Sequence, residues 1–187
     1  MNQAHLRNLS SPERARWLQA ELVPWLEETQ RLGDDVLEIG PGPGLTTDLL
    51  RVRVASVTAL ESDPVLAEAL AMRLAGTNVA VIEGDAVKNG LPSGRFSAVC
   101  CFSMLHHALS VELQDQVFTE ITRVLRPSGW LFGEDPLDSA FARLHHIGDT
   151  FVPLDPETLE RRLEVAGLSN VGIQTGGSRI KFSAAKA

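Results

Sequence analysis

Val36-Leu37-Glu38-Ile39-Gly40-Pro41-Gly42-Pro43-Gly44 runs straight into Leu45-Thr46-Thr47-Asp48-Leu49-Leu50. An apolar strand, a glycine-rich turn and a helix follow one another without a break. Glycine at 40, 42 and 44 removes side chains, so the backbone can turn tightly and lie close to a ligand. The helix behind the turn points its first N–H groups at that place. A dinucleotide-binding turn needs glycine at its first, third and sixth positions. Gly40 and Gly42 satisfy the first two, but the sixth is Leu45 and the third glycine stands at Gly44. Glu38 precedes the first glycine by two positions. A carboxylate there suits a cationic ligand and repels a pyrophosphate.

Working outward, apolar runs and helical patterns alternate. Ser10-Ser11-Pro12-Glu13 is a helix start, with a serine cap and proline in the first turn. That helix is expected to reach about Gln30. Strands are expected over 36–39, 55–60, 79–82, 96–102 and 130–133. Helices are expected over 46–52, 64–75, 111–125 and 156–166. Residues 170–174 and 179–183 read as a closing antiparallel pair with Gly176-Gly177 at the turn. Phe96–Phe102 is apolar nearly throughout, as a strand buried on both faces should be. Only the first eleven or so residues and Ala184 to Ala187 look loose. The alternation implies a doubly wound α/β sheet with right-handed crossovers, and such sheets bind ligands at the carboxyl ends of their strands.

The strand ends are therefore the places to inspect. The second strand ends in Leu60-Glu61-Ser62-Asp63-Pro64, with Glu61 twenty-one positions after Gly40. That is the spacing of an acid that accepts from ribose hydroxyls. Asp63, just before Pro64, fits a helix cap instead. The third strand ends in Glu83-Gly84-Asp85-Ala86, and the fourth in Phe102-Ser103-Met104-Leu105-His106-His107. Read alone, Gly84-Asp85 is an ordinary turn.

Taken together, these motifs resemble the class I methyltransferases that use S-adenosylmethionine, whose first motif is acidic-x-Gly-x-Gly-x-Gly. The resemblance covers about residues 34–135, and Leu105-His106-His107 is similar to its small-molecule branch (type 11, ubiquinone-biosynthesis-like). Arg123 to Leu131, with its Pro127-Ser128-Gly129 turn, resembles the family's landmark before the fifth strand. The family implies a Rossmann-like, doubly wound, mostly parallel sheet of about seven strands, with a terminal antiparallel strand and helices on both faces. It implies S-adenosylmethionine as cofactor, bound by the first motif through Glu38, Gly40, Pro41, Gly42 and Gly44. It places Glu61 and Ser62 at the ribose, Gly84, Asp85 and Ala86 at the adenine, and Phe102 and Ser103 along the cofactor. The cofactor's sulfonium and ammonium groups agree with a carboxylate at position 38. Phe96-Ser97 departs from the Phe-Asp common in the family, but at the far end of the strand.

Methyl transfer requires an oriented acceptor and, for a protic one, a base. The candidates are His106, His107, Asp135 and His146, with His145 beside the last. Histidine titrates near neutral pH. Adjacent histidines rarely share one ion and no Cys-x2-Cys spacing occurs, so no metal is expected. The turn after the fourth strand lacks the Pro-Pro-aromatic sequence of base-amino methylating enzymes. With a net charge of −7 and a pI of about 5.2, the expected acceptor is a small molecule, lipid or quinone-like compound methylated at oxygen or carbon, with no nucleic acid partner. A non-catalytic S-adenosylmethionine-binding module is the alternative.

The 187 residues, 44% apolar and 22% charged, imply a single domain, with residues 1–30 as a helical lid and 31–187 as the core. The lid is expected to bring His5 or Arg7 to the cofactor carboxylate. Cys100 and Cys101 are strand neighbours on opposite faces and should not pair. No signal-like or membrane-spanning run is evident. The expected setting is the cytoplasm, as a monomer or homodimer.

Overall fold

A computed structural model describes residues 11–187. Its elements are α1 (Pro12–Trp17), a π-helical turn (Leu18–Leu22), α2 (Val23–Thr29), β1 (Asp35–Ile39), α3 (Leu45–Arg51), β2 (Ser56–Glu61), α4 (Pro64–Arg73) and β3 (Val79–Glu83). There follow β4 (Phe96–Phe102), a 3-10 turn (Leu105–His107), α5 (Val111–Val124), β5 (Leu125–Pro136), α6 (Ala140–His145), α7 (Pro156–Val165), β6 (Leu168–Gly176) and β7 (Arg179–Lys186). The sheet order is β3-β2-β1-β4-β5-β7-β6. The first five strands are parallel, and β7 runs antiparallel between β5 and β6. The expected Rossmann-like sheet is therefore present, with its order reversing between β1 and β4. The expected contacts of His5 and Arg7 lie outside the described residues.

Alternation along the central strands builds two cores. Leu37, Ile39, Val99, Cys101 and Leu131 face α5 and α7 through Val117, Phe118, Ile121, Leu159 and Leu163. Val36, Val57, Ala98, Cys100 and Phe132 face Leu18, Leu22, Trp25 and Leu26 on the other side. Each of these large apolar side chains contributes roughly 1.5–3 kcal/mol on burial. Cys100 and Cys101 point into opposite cores and are free thiols.

Caps place the helix starts that matter for the site. Ser11 accepts from the Arg14 N–H at 3.1 Å. Asp63 accepts from the Val65 and Leu66 N–H groups at 2.9 and 3.1 Å, the cap role its position before Pro64 suggests. Pro24 falls inside the first helical stretch. Its ring would press on the carbonyl four residues back. The π-turn ahead of it, closed by the Val23 N–H on the Leu18 carbonyl, widens the helix there.

Two expectations about the chain's end change. Ala184 and Ala185 are buried in β7 rather than loose, because β7 lies between β5 and β6 and must be covered along its length. β5 starts at Leu125 and reaches Pro136, so it carries Glu134 and Asp135 in its buried end. Among the described residues, no helix is long and apolar enough to cross a membrane.

Candidate active site

The glycine turn sits where the strand order reverses. Gly40 (φ +72°) donates its N–H to the Leu60 carbonyl at 2.9 Å, which stitches the turn to β2. A Cβ there would stand 2.8 Å from Met104 Cβ. At Gly44 (φ +88°) a Cβ would come within 2.4 Å of Leu70 and Arg73. Left-handed backbone and close neighbours together demand glycine at both places.

Glu38 lies under the turn, 1% exposed. Its carboxylate accepts from the hydroxyls of Thr46 and Thr47, the latter at 2.6 Å. Burial pushes its pKa up to about 7, against the two hydroxyl donors, which pull it down. The side chain does not line the cavity above the turn. It ties strand β1 to the first turn of α3 from below.

That cavity has a volume of about 510 Å³. Gly40, Pro41 and Gly42 form its floor, Glu61 and Ser62 one wall, and Phe102, Ser103, His107 and Asp149 the other. Glu61 is 6% exposed and accepts from the Gly42 N–H at 2.9 Å and the Asp63 N–H at 3.0 Å. Its carboxylate is thus held at the rim by two backbone donors. A neighbouring cavity of about 260 Å³ is lined by Gly84, Asp85 and Ala86 together with Leu60, Leu109 and Leu113. Asp85 accepts through Oδ1 from the Val87 and Lys88 N–H groups, which fixes its turn. Every cofactor-side residue singled out from the sequence except Glu38 and Gly44 lines one of these two spaces.

A third cavity, about 140 Å³, opens beyond Ser103 and is lined by His106, Phe141, Ala142, His145, His146 and Arg179 among others. Arg14 and Ser103 line both this space and the 510 Å³ cavity. Ser103 has a left-handed backbone, φ +54°, a strained state for a non-glycine residue and a mark of functional positions. Its N–H donates to the Glu134 carbonyl, and its hydroxyl lies on Arg14, Arg179 and the Glu134 carboxylate. Glu134, fully buried, pairs with both Arg14 and Arg179. Burial lowers the Arg14 pKa to about 10 and the Arg179 pKa to about 9. Both guanidinium groups stay charged at neutral pH.

The histidines meet at the boundary between the 510 and 140 Å³ spaces. The rings of His106 and His107 are 4.1 Å apart, and that of His146 lies 4.9 Å from His106 and 5.5 Å from His107. His106 Nδ1 contacts Asp135 Oδ1 directly. His146 Nδ1 contacts the Ala142 carbonyl at 2.7 Å. Burial, then the neighbouring His146 and Arg179, lowers the His106 pKa to about 3. Burial and His106 do the same for His107, also to about 3. Burial raises the Asp135 carboxyl, opposed by the backbone N–H groups of His106 and Leu105. His106 and His107 are therefore neutral imidazoles at pH 7. His145 stands apart, exposed, with Nδ1 on the Phe141 carbonyl.

The structure thus brings His106, His107, Asp135 and His146 together. Arg14, Glu134 and Arg179 were not singled out from the sequence. Their only signals were an arginine three residues after the Ser11 cap and charges flanking Asp135 and the Gly176-Gly177 turn.

Comparison with known proteins agrees with this geometry. Residues 37–133 match the family model described as "Methyltransferase domain". A probable ribosomal RNA small subunit methyltransferase A of Thermococcus onnurineus is 51% identical over 59 residues, which cover 32% of this chain and 22% of that protein. The chloroplastic ribosomal RNA small subunit methyltransferase of Arabidopsis thaliana is 34% identical over 121 residues, covering 60% of this chain and 35% of that protein. The chain spans about a fifth to a third of the length of these curated relatives. In fold, a SAM dependent methyltransferase from Aquifex aeolicus superposes with a TM-score of 0.76 at 19% identity, covering 100% of both chains.

The relatives' names overturn one expectation. A small-molecule acceptor with no nucleic acid partner was inferred from net charge and from a missing proline turn, yet the named relatives are ribosomal RNA enzymes. Net charge sums over the whole surface and does not report on one cavity; here Arg14 and Arg179 line the acceptor-side space of an acidic chain.

Proposed function

The chain belongs to the methyltransferase-domain family, and on that premise we propose that it is an S-adenosylmethionine-dependent enzyme that methylates an oxygen or carbon atom of an acceptor group seated in the 140 Å³ cavity, against His106 and Asp135. The observation that carries this reading is the histidine–aspartate cluster at the boundary of two spaces that share Arg14 and Ser103.

S-adenosylmethionine would lie over Gly40 to Gly42 in the larger cavity. Its ribose hydroxyls would meet Glu61, whose carboxylate is aimed by two backbone donors. Its adenine would enter the space lined by Gly84, Asp85 and Ala86. Its carboxylate would meet Arg14, the guanidinium that reaches this cavity from α1. In this assignment the first helix, through Arg14 and Leu18, closes the cofactor from above, which is the part a lid plays. Glu38 acts indirectly, by fixing Thr46 and Thr47 at the helix start.

The reaction is an in-line displacement at the methyl carbon. As the acceptor's bond to carbon forms, the carbon–sulfur bond breaks and the sulfonium becomes a neutral thioether. The positive charge passes to the acceptor as a proton to be removed. His106, oriented through Nδ1 by Asp135, borders this space; with its pKa lowered to about 3 it would position the acceptor by accepting its hydrogen bond, and the proton would pass to water. The 140 Å³ space admits one ring-sized group. Such a group can be a separate compound or a base displayed by an RNA, as the relatives' names suggest.

The test is transfer of label from methyl-labelled S-adenosylmethionine, with small-subunit ribosomal RNA and ring-sized phenols in parallel. We expect labelled product with at least one of them. Asp135→Asn, which frees the His106 ring, should lower kcat by about 10²-fold while leaving cofactor affinity near wild type. Unchanged kcat in that variant would remove the cluster from the reaction.

A further inference from the structure

We propose that His106, His107 and His146 form a binding site for a divalent transition-metal ion, zinc being the probe of choice. No metal was expected from the sequence, because two adjacent histidines rarely hold one ion. Folding changes the set in two ways. The 3-10 turn Leu105–His107 brings the two neighbouring rings to 4.1 Å. The segment after α6 then delivers His146 against both.

One ligand atom from each of the three lies within 4.8 Å of the others. A zinc–imidazole bond is about 2.0–2.1 Å, so tetrahedral ligand nitrogens sit about 3.3 Å apart. Small rotations of the rings close that difference. Three histidines are an established protein ligand set for zinc.

The surroundings of each ring support the same reading. Metal-bound histidines are held through their other nitrogen by a carboxylate or a carbonyl, which fixes the tautomer. His106 has Asp135 at Nδ1. His146 has the Ala142 carbonyl at Nδ1, and because a carbonyl only accepts, the neutral ring must carry its proton there and its lone pair on Nε2. His107 has Asp149 Oδ1 4.0 Å from Nδ1. Oxygens thus contact the Nδ1 atoms of His106 and His146, with Asp149 farther off at His107, and the Nε2 atoms are the proposed ligating set. Imidazole ligands suit zinc, copper, nickel and iron, and disfavour calcium and magnesium. This site stands on these contacts and not on the acceptor proposed above; an ion held at His106 Nε2 would keep that nitrogen from the acceptor.

The experiment uses the full chain without a histidine tag, stripped with a chelator and titrated with zinc chloride by calorimetry. We expect one ion per chain at micromolar affinity or better. Asp135→Asn, which removes an outer-shell carboxylate, should weaken zinc by about 10–100-fold. His146→Ala should weaken it by more, and His145→Ala, outside the cluster, should leave it unchanged. Circular dichroism and S-adenosylhomocysteine binding report folding of each variant. If His146→Ala does not fold, cobalt titration of the wild type decides instead, through the intense visible band of a four-coordinate ion. No zinc binding, an unchanged affinity in a folded His146→Ala protein, or no cobalt band overturns the site. Because these readouts are not catalytic, a failed methyl-transfer assay leaves them standing, and the reverse also holds.

Discussion

Glu38 illustrates how one position in a motif can be legible while its role is not. The sequence marks an acid two places before Gly40. The structure turns that acid inward, onto Thr46 and Thr47. Its folded pKa of about 7 lies above the ordinary 4.5, so the folded protein holds the proton more tightly than the unfolded chain. The stability this gives is present below pH 4.5 and lost as pH rises to about 7. The shift corresponds to about 3 kcal/mol. His106 and His107 act in the opposite sense. Their folded values of about 3 lie below the ordinary 6.5, so their contribution is present above pH 6.5 and lost as pH falls toward 3. The difference between wild type and Glu38→Gln isolates the first effect. We expect Glu38→Gln to gain thermal stability over wild type as pH is raised from 4.5 to 8; a flat difference across that range refutes the assignment.

At Glu61 the same scale yields a binding prediction. Its carboxylate already accepts from the Gly42 and Asp63 N–H groups, so Glu61→Ala loosens the turn and removes the proposed ribose acceptor together. Charged hydrogen bonds are worth roughly 1.5–3 kcal/mol each. S-adenosylhomocysteine affinity, measured by calorimetry, should fall at least about tenfold. An unchanged affinity would place the ribose elsewhere.

Among the elements, α5 does more than cover the sheet. Gln114, fully buried, donates to the Leu105 carbonyl at 3.2 Å and the Val152 carbonyl at 2.8 Å, and accepts from Arg162 at 2.8 Å. It therefore ties the histidine turn and the segment before α7 to one helix. Gln114→Leu leaves two buried carbonyls and a guanidinium short of a partner. We expect a loss of about 1–3 kcal/mol in urea unfolding, together with a fall in kcat as the His106 turn loosens. Elements also decide how far pattern reading can go. The capped helices α5 and α7 were readable because period and cap coincide, and α4 through its proline start and its alanine and leucine content. The 3-10 turn at Leu105 and the six-residue α6 were not, since neither is long enough to show a period. Helix α6 also leaves Phe141 and Leu144 exposed, as is Ile147 just after it, which hides its direction from any amphipathic pattern.

For the whole molecule, the cofactor should act as a stabiliser, because the proposed cofactor site lies at the ends of three strands and a helix that exist only when folded. At about one hundred times its dissociation constant, S-adenosylhomocysteine should add about 2.7 kcal/mol. For a chain of this size that raises Tm by roughly 5–10 °C, while NAD at the same concentration should leave it unchanged. Thermal melts with each ligand check this directly, and a shift with NAD alone would contradict the reading of the glycine turn.

The sequence by itself determined the α/β alternation, the glycine turn at Gly40 to Gly44, and the run of acidic strand ends at Glu61 and Asp85. These are local: each depends on residue type and spacing within one strand–turn–helix unit, and backbone geometry fixes the rest. Tertiary structure alone decided that Glu38 faces inward, that Ala184 and Ala185 are covered, and that Arg14 and Arg179 converge on Glu134. It alone gathered His106, His107, Asp135 and His146 into one cluster. Those groups come from α1, β5, β7, a 3-10 turn and the end of α6, and no spacing along the chain encodes their distances. They are set by how β7 enters the sheet and how the helices pack over it, which is a property of the assembled core.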